Sequence, residues 1–451
     1  MGYSMKQAKT TYGLTTAIAM IVGVVIGSGI YFRADNVLLY TGGNVGLGML
    51  ALALGASCII FGSLSLSELA QRTTSSGGIS SYYEEFISPG IAAAIGFFQS
   101  FVYFPTVIAV VAWVGAIYSW TYLGKEATLE MQIIFAASYI IFFTALNYFS
   151  RQLGGYYQSL STFVKVIPLL IIAVIGLFWH ADLPAIPAQI PVIHPKSVGF
   201  GWLAALVPLA FSYDGWTAVI TIAPEIRNPK RNLTKALIIG PLFILLTYLL
   251  FFFGLSKILG PSFIMSVGDD AIHYALQSLF GPQIGNFILL IIIISVLGVI
   301  NGMLLAMIRL PQAFAQRGWL HSKKLATIHP KHQVSTASTL LTLAVALGWL
   351  TIHYIVQKFD LLHGRDVSEI SVVFNNLAFM VLYLKVFDMY RHQTIEQRLT
   401  GLISPIFAIL GSLSIFIGSL MTAPMYVLVF QFFCLCSCVI GYWLYQKNQM
   451  A

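Results

Sequence analysis

Charge is scarce in this chain. Asp, Glu, Lys and Arg together make up 9% of 451 residues, against about a quarter in an ordinary soluble domain. A water-facing globule cannot be covered with so little charge, and a hydrophobic content of 58% points to a polytopic membrane protein. The stretches between apolar runs are short and leave no room for a sizeable soluble domain. A net charge of +8 would suit nucleic acid, yet the basic residues are scattered rather than gathered into a groove.

Cysteine is nearly absent as well. Cys58 lies in one apolar run, and Cys434, Cys436 and Cys438 lie in the last, so no disulfide framework is expected. Alternate residues on a helix point in different directions, which makes the C-x-C-x-C run apolar filler rather than a metal site. The histidines sit mainly near span ends and in loops, such as His180, His194, His321 and His392. No His/Asp/Glu set has metal spacing, and no nucleophile–base pair lies at depth. Neither an enzyme, a cofactor nor a metal is expected. Lys6 and Lys9 precede an apolar run too long for a signal peptide and without a small-residue cleavage site, so the first helix is expected to be retained.

What the chain does have is long apolar segments. A bilayer crossing needs roughly 20 mostly apolar residues. By that rule about twelve segments qualify, near 12–40, 45–69, 90–122, 129–149, 156–179, 200–224, 234–256, 272–308, 336–356, 370–390, 402–421 and 424–445. Gly78–Phe86, with Tyr82, Tyr83, Glu84 and Glu85, reads as an amphipathic lead-in to the third. An even number of spans puts both termini on one side. With that side cytoplasmic, seventeen Lys and Arg fall inside and six outside, and Lys165 remains within the membrane. This is the bias expected of cytoplasmic loops.

Two segments contain residues unsuited to an unbroken helix. The first reads Ile26-Gly27-Ser28-Gly29-Ile30 at its centre, the sixth Phe211-Ser212-Tyr213-Asp214-Gly215-Trp216. Glycine costs about 1 kcal/mol against alanine inside a helix, and serine hydroxyls compete for backbone partners. Gly23 and Gly27 also form a small-xxx-small face, which on its own can mean only close helix packing. Interruptions at the first position of each half are the mark of transporters built from inverted repeats. The spacing fits two five-helix repeats, 12–180 and 199–390, followed by two further helices at 402–445.

Broken helices suit a zwitterion. The N–H groups around Ser28, Gly29 and Ile30, with the Ser28 hydroxyl, can take a carboxylate at a half-helix N-terminus. Carbonyls of Val25, Ile26, Phe211 and Asp214 can take an ammonium. Ser28 can instead bond back to its own helix. Lys165, in Ser161–Pro168, sits about nine residues into its span and is a functional candidate, because a charge at depth costs at least about 2.5–3.5 kcal/mol. Snorkelling towards an interface is the alternative. Asp214 can meet the ammonium, carry a proton, or cap the half-helix after it. Glu68 and Glu225 read as gate or loop partners, and Asn301, Asn375 and Asn376 as interhelical glue.

These residues carry a resemblance. VVIGSGIYF resembles the first-helix signature of the amino acid–polyamine–organocation (APC) superfamily. AFSYDGWTAVITIAPEIRNPKRNLTKAL resembles the sixth helix of its L-amino acid transporter (LAT) branch, and STFVKVIPLL and NGMLLAMIRLPQAFAQRGWL match later segments of it. The resemblance runs from the first helix to at least Pro330 and is weakest over the last two helices; bacterial serine/threonine or alanine–serine–cysteine exchangers are similar. It implies an all-α, LeuT-type fold of twelve helices and sodium-independent exchange of L-amino acids by alternating access. It places binding positions on Val25, Ile26, Ser28, Gly29, Phe211 and Asp214, beside Gly27, Ile30 and Ser212 in the same runs, with Phe211 as lid. Lys165 falls on a lysine that stands in for a sodium ion, with the Gly23 carbonyl and the Ser295 hydroxyl as partners. Two departures stand out. The loop Ser119–Thr128 has no cysteine for a disulfide-linked heavy chain, so none is expected, and Ser212 stands where alanine is usual.

The expected protein is thus a multi-pass exchanger of the cytoplasmic membrane for small neutral L-amino acids, of bacterial type. A proton-coupled symporter on the same fold and a binding-only sensor are the alternatives.

Overall fold

The computed structural model describes residues 13–449, apart from 74–77, 218, 221–225, 333, 363–364 and 423. Among the described residues there are helices and no strands. The first apolar segment forms α1 (Leu14–Val25) and α2 (Ser28–Tyr40), the second α3 (Val45–Ala70). The lead-in α4 (Ile79–Phe86) precedes α5 (Pro89–Phe98), a π-helical turn Gln99–Tyr103 and α6 (Phe104–Tyr122). Then come α7 (Leu129–Phe149), α8 (Arg151–Leu177), and the sixth segment with a 3-10 turn Gly199–Ala205 and α9 (Leu206–Ser212). They are followed by α10 (Pro229–Leu259), α11 (Pro261–Val267), α12 (Ala271–Met307), α13 (Arg309–Gln316) and α14 (Lys323–Ala326). The chain ends with α15 (Thr336–Lys358), α16 (Val367–Arg391), a second π-helical turn Leu399–Ile403, α17 (Ser404–Thr422) and α18 (Pro424–Gln449).

Nine stretches of the described residues are long and apolar enough to cross a bilayer. The first, fifth and sixth expected segments hold the shorter apolar helices Leu14–Val25, Val164–Leu177 and Gly199–Ser212. One boundary differs from expectation. The segment near 272–308 is two helices, because Gly281 has φ 74° and Pro282 has no amide hydrogen to continue the ladder.

Several spans start on a capping side chain. Asn44, Ser88, Thr128, Ser335 and Asp366 each accept from an amide of the first turn, which satisfies donors the helix leaves open. Pro105 works differently. It cannot donate to the Phe101 carbonyl, so the preceding turn widens, with the Phe104 amide reaching Gln99. The Phe101 carbonyl is taken instead by the Trp349 indole N–H at 2.7 Å. Tyr103 is the last residue of that widened turn.

The broken helices lie inside the bundle. α1 packs against α8 and α10, α2 against α9 and α11, and α9 also against α16 and α17. The wall behind α1 depends on small residues, as membrane helix contacts do. A β-carbon at Gly254 would lie 2.6 Å from the Ile172 carbonyl oxygen and 3.2 Å from the Ala173 Cα, both backbone atoms. Gly254→Val should therefore cost about 1–3 kcal/mol of stability by overpacking and lower the thermal midpoint in detergent. Gly348→Ala, which would meet nothing within 4 Å, should leave that midpoint unchanged or raise it.

Candidate substrate-binding site

The chain leaves the helix at Ile26 (φ −71°, ψ 100°) and Gly27 (φ −142°, ψ −141°) and re-enters it at Ser28. Unlike the capped spans, α2 begins with no capping side chain among the described residues. Its first amides, those of Ser28, Gly29 and Ile30, form a bare N-terminus suited to an anion. The Ser28 side chain lies outside the described part of the structure.

In the sixth segment α9 ends at Ser212, and Gly215 takes φ 91°, a left-handed conformation that a side chain would strain. The two interruptions face each other. A β-carbon on Gly29 would lie 2.6 Å from the Ser212 Cα, and one on Gly215 would lie 2.7 Å from Val24 Cγ1. Gly29 and Gly215 are small because the two breaks touch there.

Neighbouring helices supply partners to the broken backbone. Lys165 is fully buried, and its ammonium donates to the Gly23 carbonyl in the last turn of α1. The Tyr248 hydroxyl lies 3.2 Å from the Val25 carbonyl and 3.0 Å from the Ser212 carbonyl. One hydroxyl hydrogen serves one of them at a time, so the other carbonyl keeps acceptor capacity. The Tyr31 hydroxyl donates to the Lys165 carbonyl at 3.0 Å, which ties α2 to α8. Asp214 accepts from the Tyr103 hydroxyl, and its amide donates to the Phe211 carbonyl at 3.2 Å. The Ser212 hydroxyl bonds back to the Pro208 carbonyl at 3.0 Å.

The structure thus gathers Gly23, Val25, Gly29, Ser212 and Asp214 with Lys165 around the two breaks. Ser295 is buried, and its hydroxyl has no hydrogen-bond partner among the described residues. Glu68 pairs with Arg72 at 2.6 Å, and the Arg72 guanidinium also donates to the Thr394 carbonyl at 2.9 Å. Glu225 lies outside the described residues. Asn301 accepts from Asn147 at 3.0 Å, and Asn375 from Gln99 at 3.4 Å, which are contacts between helices.

Above the breaks sits Phe211, buried, with the Arg33 guanidinium 5.0 Å from its ring centroid. Arg33 is ion-paired with Asp366 and, at 3.0 Å, with Glu369 on α16. On this side of the breaks Arg33, Phe211, Asp366 and Glu369 are all buried. Val24, Asp214, Gly215 and Thr217 keep partial exposure.

Arg33, Tyr31, Tyr103 and Tyr248 escaped the sequence reading, as did Asp366 and Glu369. Arg33 carried a usable signal, a charge only five residues past Ser28 in an apolar run. Tyr103 had a fainter one in Pro105, which forces the widened turn. Tyr31 and Tyr248 had none, since an aromatic residue in an apolar helix reads as core.

A helical bundle with two interrupted helices facing each other at its centre, and a buried lysine from a neighbouring helix bonded to one of them, is the build of a membrane carrier for small solutes. The sequence profile of the amino acid permease family matches residues 12–445, and the chain belongs to that family. It is 28% identical over 423 residues to the serine/threonine exchanger SteT of Bacillus subtilis, covering 92% of each chain. It is 25% identical to the b(0,+)-type amino acid transporter 1 of Mus musculus, over 96% of this chain and 87% of that one. It is 27% identical to the large neutral amino acids transporter small subunit 2 of Homo sapiens, over 83% and 74%. Membership makes the chain a multi-pass membrane protein of LeuT-type fold.

The contact between Gly29 and Ser212 gives a direct test. Gly29→Leu should abolish amino acid binding to the purified protein while the elution volume on size exclusion stays that of the unaltered protein. Binding at unaltered affinity would remove the first break from the site.

Proposed function

We propose that the chain is a sodium-independent exchanger of small neutral L-amino acids, working by alternating access around the two breaks. The observation that carries this is the facing pair of interruptions, with uncapped amides at the start of α2 and acceptor carbonyls at Val25 and Ser212. In this reading the substrate carboxylate lies on the amides of Ser28, Gly29 and Ile30. Its ammonium lies on carbonyls from Val25 and Ile26 in the first break and from Phe211 and Asp214 in the second. Gly27 gives the first break room against α12, where a β-carbon would lie 2.5 Å from Val299 Cγ2; Ser212 adds a hydroxyl beside the site, and Phe211 is the lid. The substrate class draws support from SteT, described as a serine/threonine exchanger.

Lys165 takes the place of a coupling cation. Its amine on the Gly23 carbonyl occupies, from the protein, the place that a sodium ion would take and leave in each cycle. Ser295, whose buried hydroxyl has no hydrogen-bond partner among the described residues, is the second polar group proposed for this role. The two repeats, 12–180 and 199–390, move against each other, with both termini in the cytoplasm and no disulfide-linked heavy chain. That orientation places the Arg33 end outside, so Val24, Asp214 and Gly215 face the inner route. A proton-coupled symporter is the second reading, and Asp214 favours it, as a carboxylate at mid-depth whose partner is the Tyr103 hydroxyl. A sensor that binds without flux is a third.

Uptake of labelled L-serine and L-alanine into proteoliposomes in sodium-free buffer separates them. Exchange predicts flux only into vesicles preloaded with amino acid. Accumulation in empty vesicles along a proton gradient would establish the symporter, and saturable binding without flux the sensor. Lys165→Ala should reduce exchange by at least about tenfold, the scale expected for loss of one buried hydrogen bond of an amine to a backbone carbonyl, with an unchanged elution profile. Unchanged flux would take Lys165 out of the mechanism.

A further inference from the structure

Between Asp270 and Asp360 the chain has no acidic residue. The stretch that joins α12 to α15 nonetheless carries Arg309, Arg317, Lys323, Lys324 and Lys331, with His321, His329 and His332. Arg317 is paired with Glu84 on α4 at 3.2 Å. Lys323, Lys324 and Lys331 are exposed, and none has an ion-pair partner among the described residues. The fold gathers them. The Lys324 carbonyl accepts from the Ser335 hydroxyl at 3.2 Å, and the His329 amide donates to the Val334 carbonyl at 3.0 Å. Both α14 and the turn 329–332 are therefore held at the start of α15. The bias of basic residues to one side of a membrane explains their sign, not this gathering.

The turn also lies against the end of a membrane helix. The His332 ring centroid is 4.4 Å from that of Tyr148 and 5.4 Å from that of Phe149, at the end of α7. The Tyr148 hydroxyl is 2.9 Å from the hydroxyl of Thr336, the first residue of α15. Leu340 follows Thr336 one turn on, on the same face. Phe149 and Leu340 are 69% and 61% exposed, on helices long and apolar enough to cross a bilayer, so they face acyl chains. Ile328, just before the turn, is an exposed apolar residue as well. The cations thus stand where an apolar surface gives way to water. His329 adds a donor to them. Its Nδ1 accepts the Lys331 amide at 3.3 Å, which puts the hydrogen of the neutral ring on Nε2.

We propose that this turn is a binding site for an anionic phospholipid, of the phosphatidylglycerol kind, in the leaflet assigned above to the cytoplasmic side. Lys323, Lys324, Lys331 and the His329 Nε2–H meet the phosphate, and Phe149 and Leu340 flank the acyl chains. A phosphodiester only accepts hydrogen bonds, and the groups gathered here donate them. A zwitterionic lipid brings its own cation, which three unpaired ammoniums repel. A soluble phosphate finds the same donors and gains nothing from the apolar residues beside them. No residue of the two breaks takes part, so the site stands apart from the exchanger reading.

Native mass spectrometry of the full chain in detergent tests this, with phosphatidylglycerol and phosphatidylcholine of the same acyl chains added in turn. Phosphatidylglycerol should bind at least about tenfold more tightly. Lys323→Gln, Lys324→Gln and Lys331→Gln should each weaken it about fivefold and leave phosphatidylcholine within about twofold. Lys385→Gln, which removes a cation already paired with Asp388 at 3.0 Å, should change neither. Equal binding of the two lipids would overturn the proposal. So would a loss from Lys385→Gln as large as that from Lys331→Gln, since net charge would then be the cause. Glycerol phosphate at millimolar concentration should not displace phosphatidylglycerol; complete displacement would make this a site for soluble phosphate and overturn the lipid. Should the lysine variants not assemble, the two lipids and glycerol phosphate on the unaltered protein decide by the same outcomes.

Discussion

A peptide group inside a bilayer has no water to bond to, and this chain interrupts two helices there all the same. The constraint is severe, because unsatisfied backbone in hydrocarbon costs several kcal/mol per group. Much of the remaining architecture answers it. Lys165 comes from α8 to the Gly23 carbonyl and Tyr248 from α10 to the carbonyls of Val25 and Ser212, while Tyr103, from the widened turn before α6, meets the Asp214 carboxylate beside the second break. For those side chains to arrive, α8 and α10 must lie tight against α1 and against each other, which is where Gly176 and Gly254 meet. Packing and polarity are one problem here.

The same constraint shapes the proposed ligand site. Protein donors satisfy some of the exposed backbone and leave the N-terminus of α2 uncapped, whereas six other described helix starts carry a capping side chain. An anion is the natural occupant of that end. Tyr248 shares a single hydrogen between two carbonyls, so an ammonium added nearby finds an acceptor without displacing a structural bond. Above this, Phe211 and the Arg33 ion pairs form a contact that is strong when buried and weak once water enters. Such a contact can open and reform.

Much of the fold was legible in the chain because a bilayer restricts it so strongly. Long apolar runs mark the helices, and Gly27, Ser28, Gly29 and Gly215 mark both breaks without any tertiary information. Lys165 was legible for the same reason, as a charge where charge is costly. What could not be read was which neighbour reaches which atom. Tyr31 and Tyr248 look like core aromatics until α8 and α10 are placed beside α1. Gly281 and Pro282 did carry a turn signal, but the apolar residues on both sides masked it and the segment read as one helix. Arg33 was assigned to the outer side by charge counting, which has no means of showing that it lies buried over Phe211.

In the proposed site the two facing breaks hold both ends of an amino acid through the backbone. Binding of L-alanine to the purified protein, measured against propionate and ethylammonium under the same conditions, tests it most directly. Each of these carries one of the two charged groups on a chain of similar size. The account predicts that both bind far more weakly than alanine, because each leaves one break without its ligand. Either one binding as tightly as alanine would contradict it, since recognition would then need only one of the two breaks.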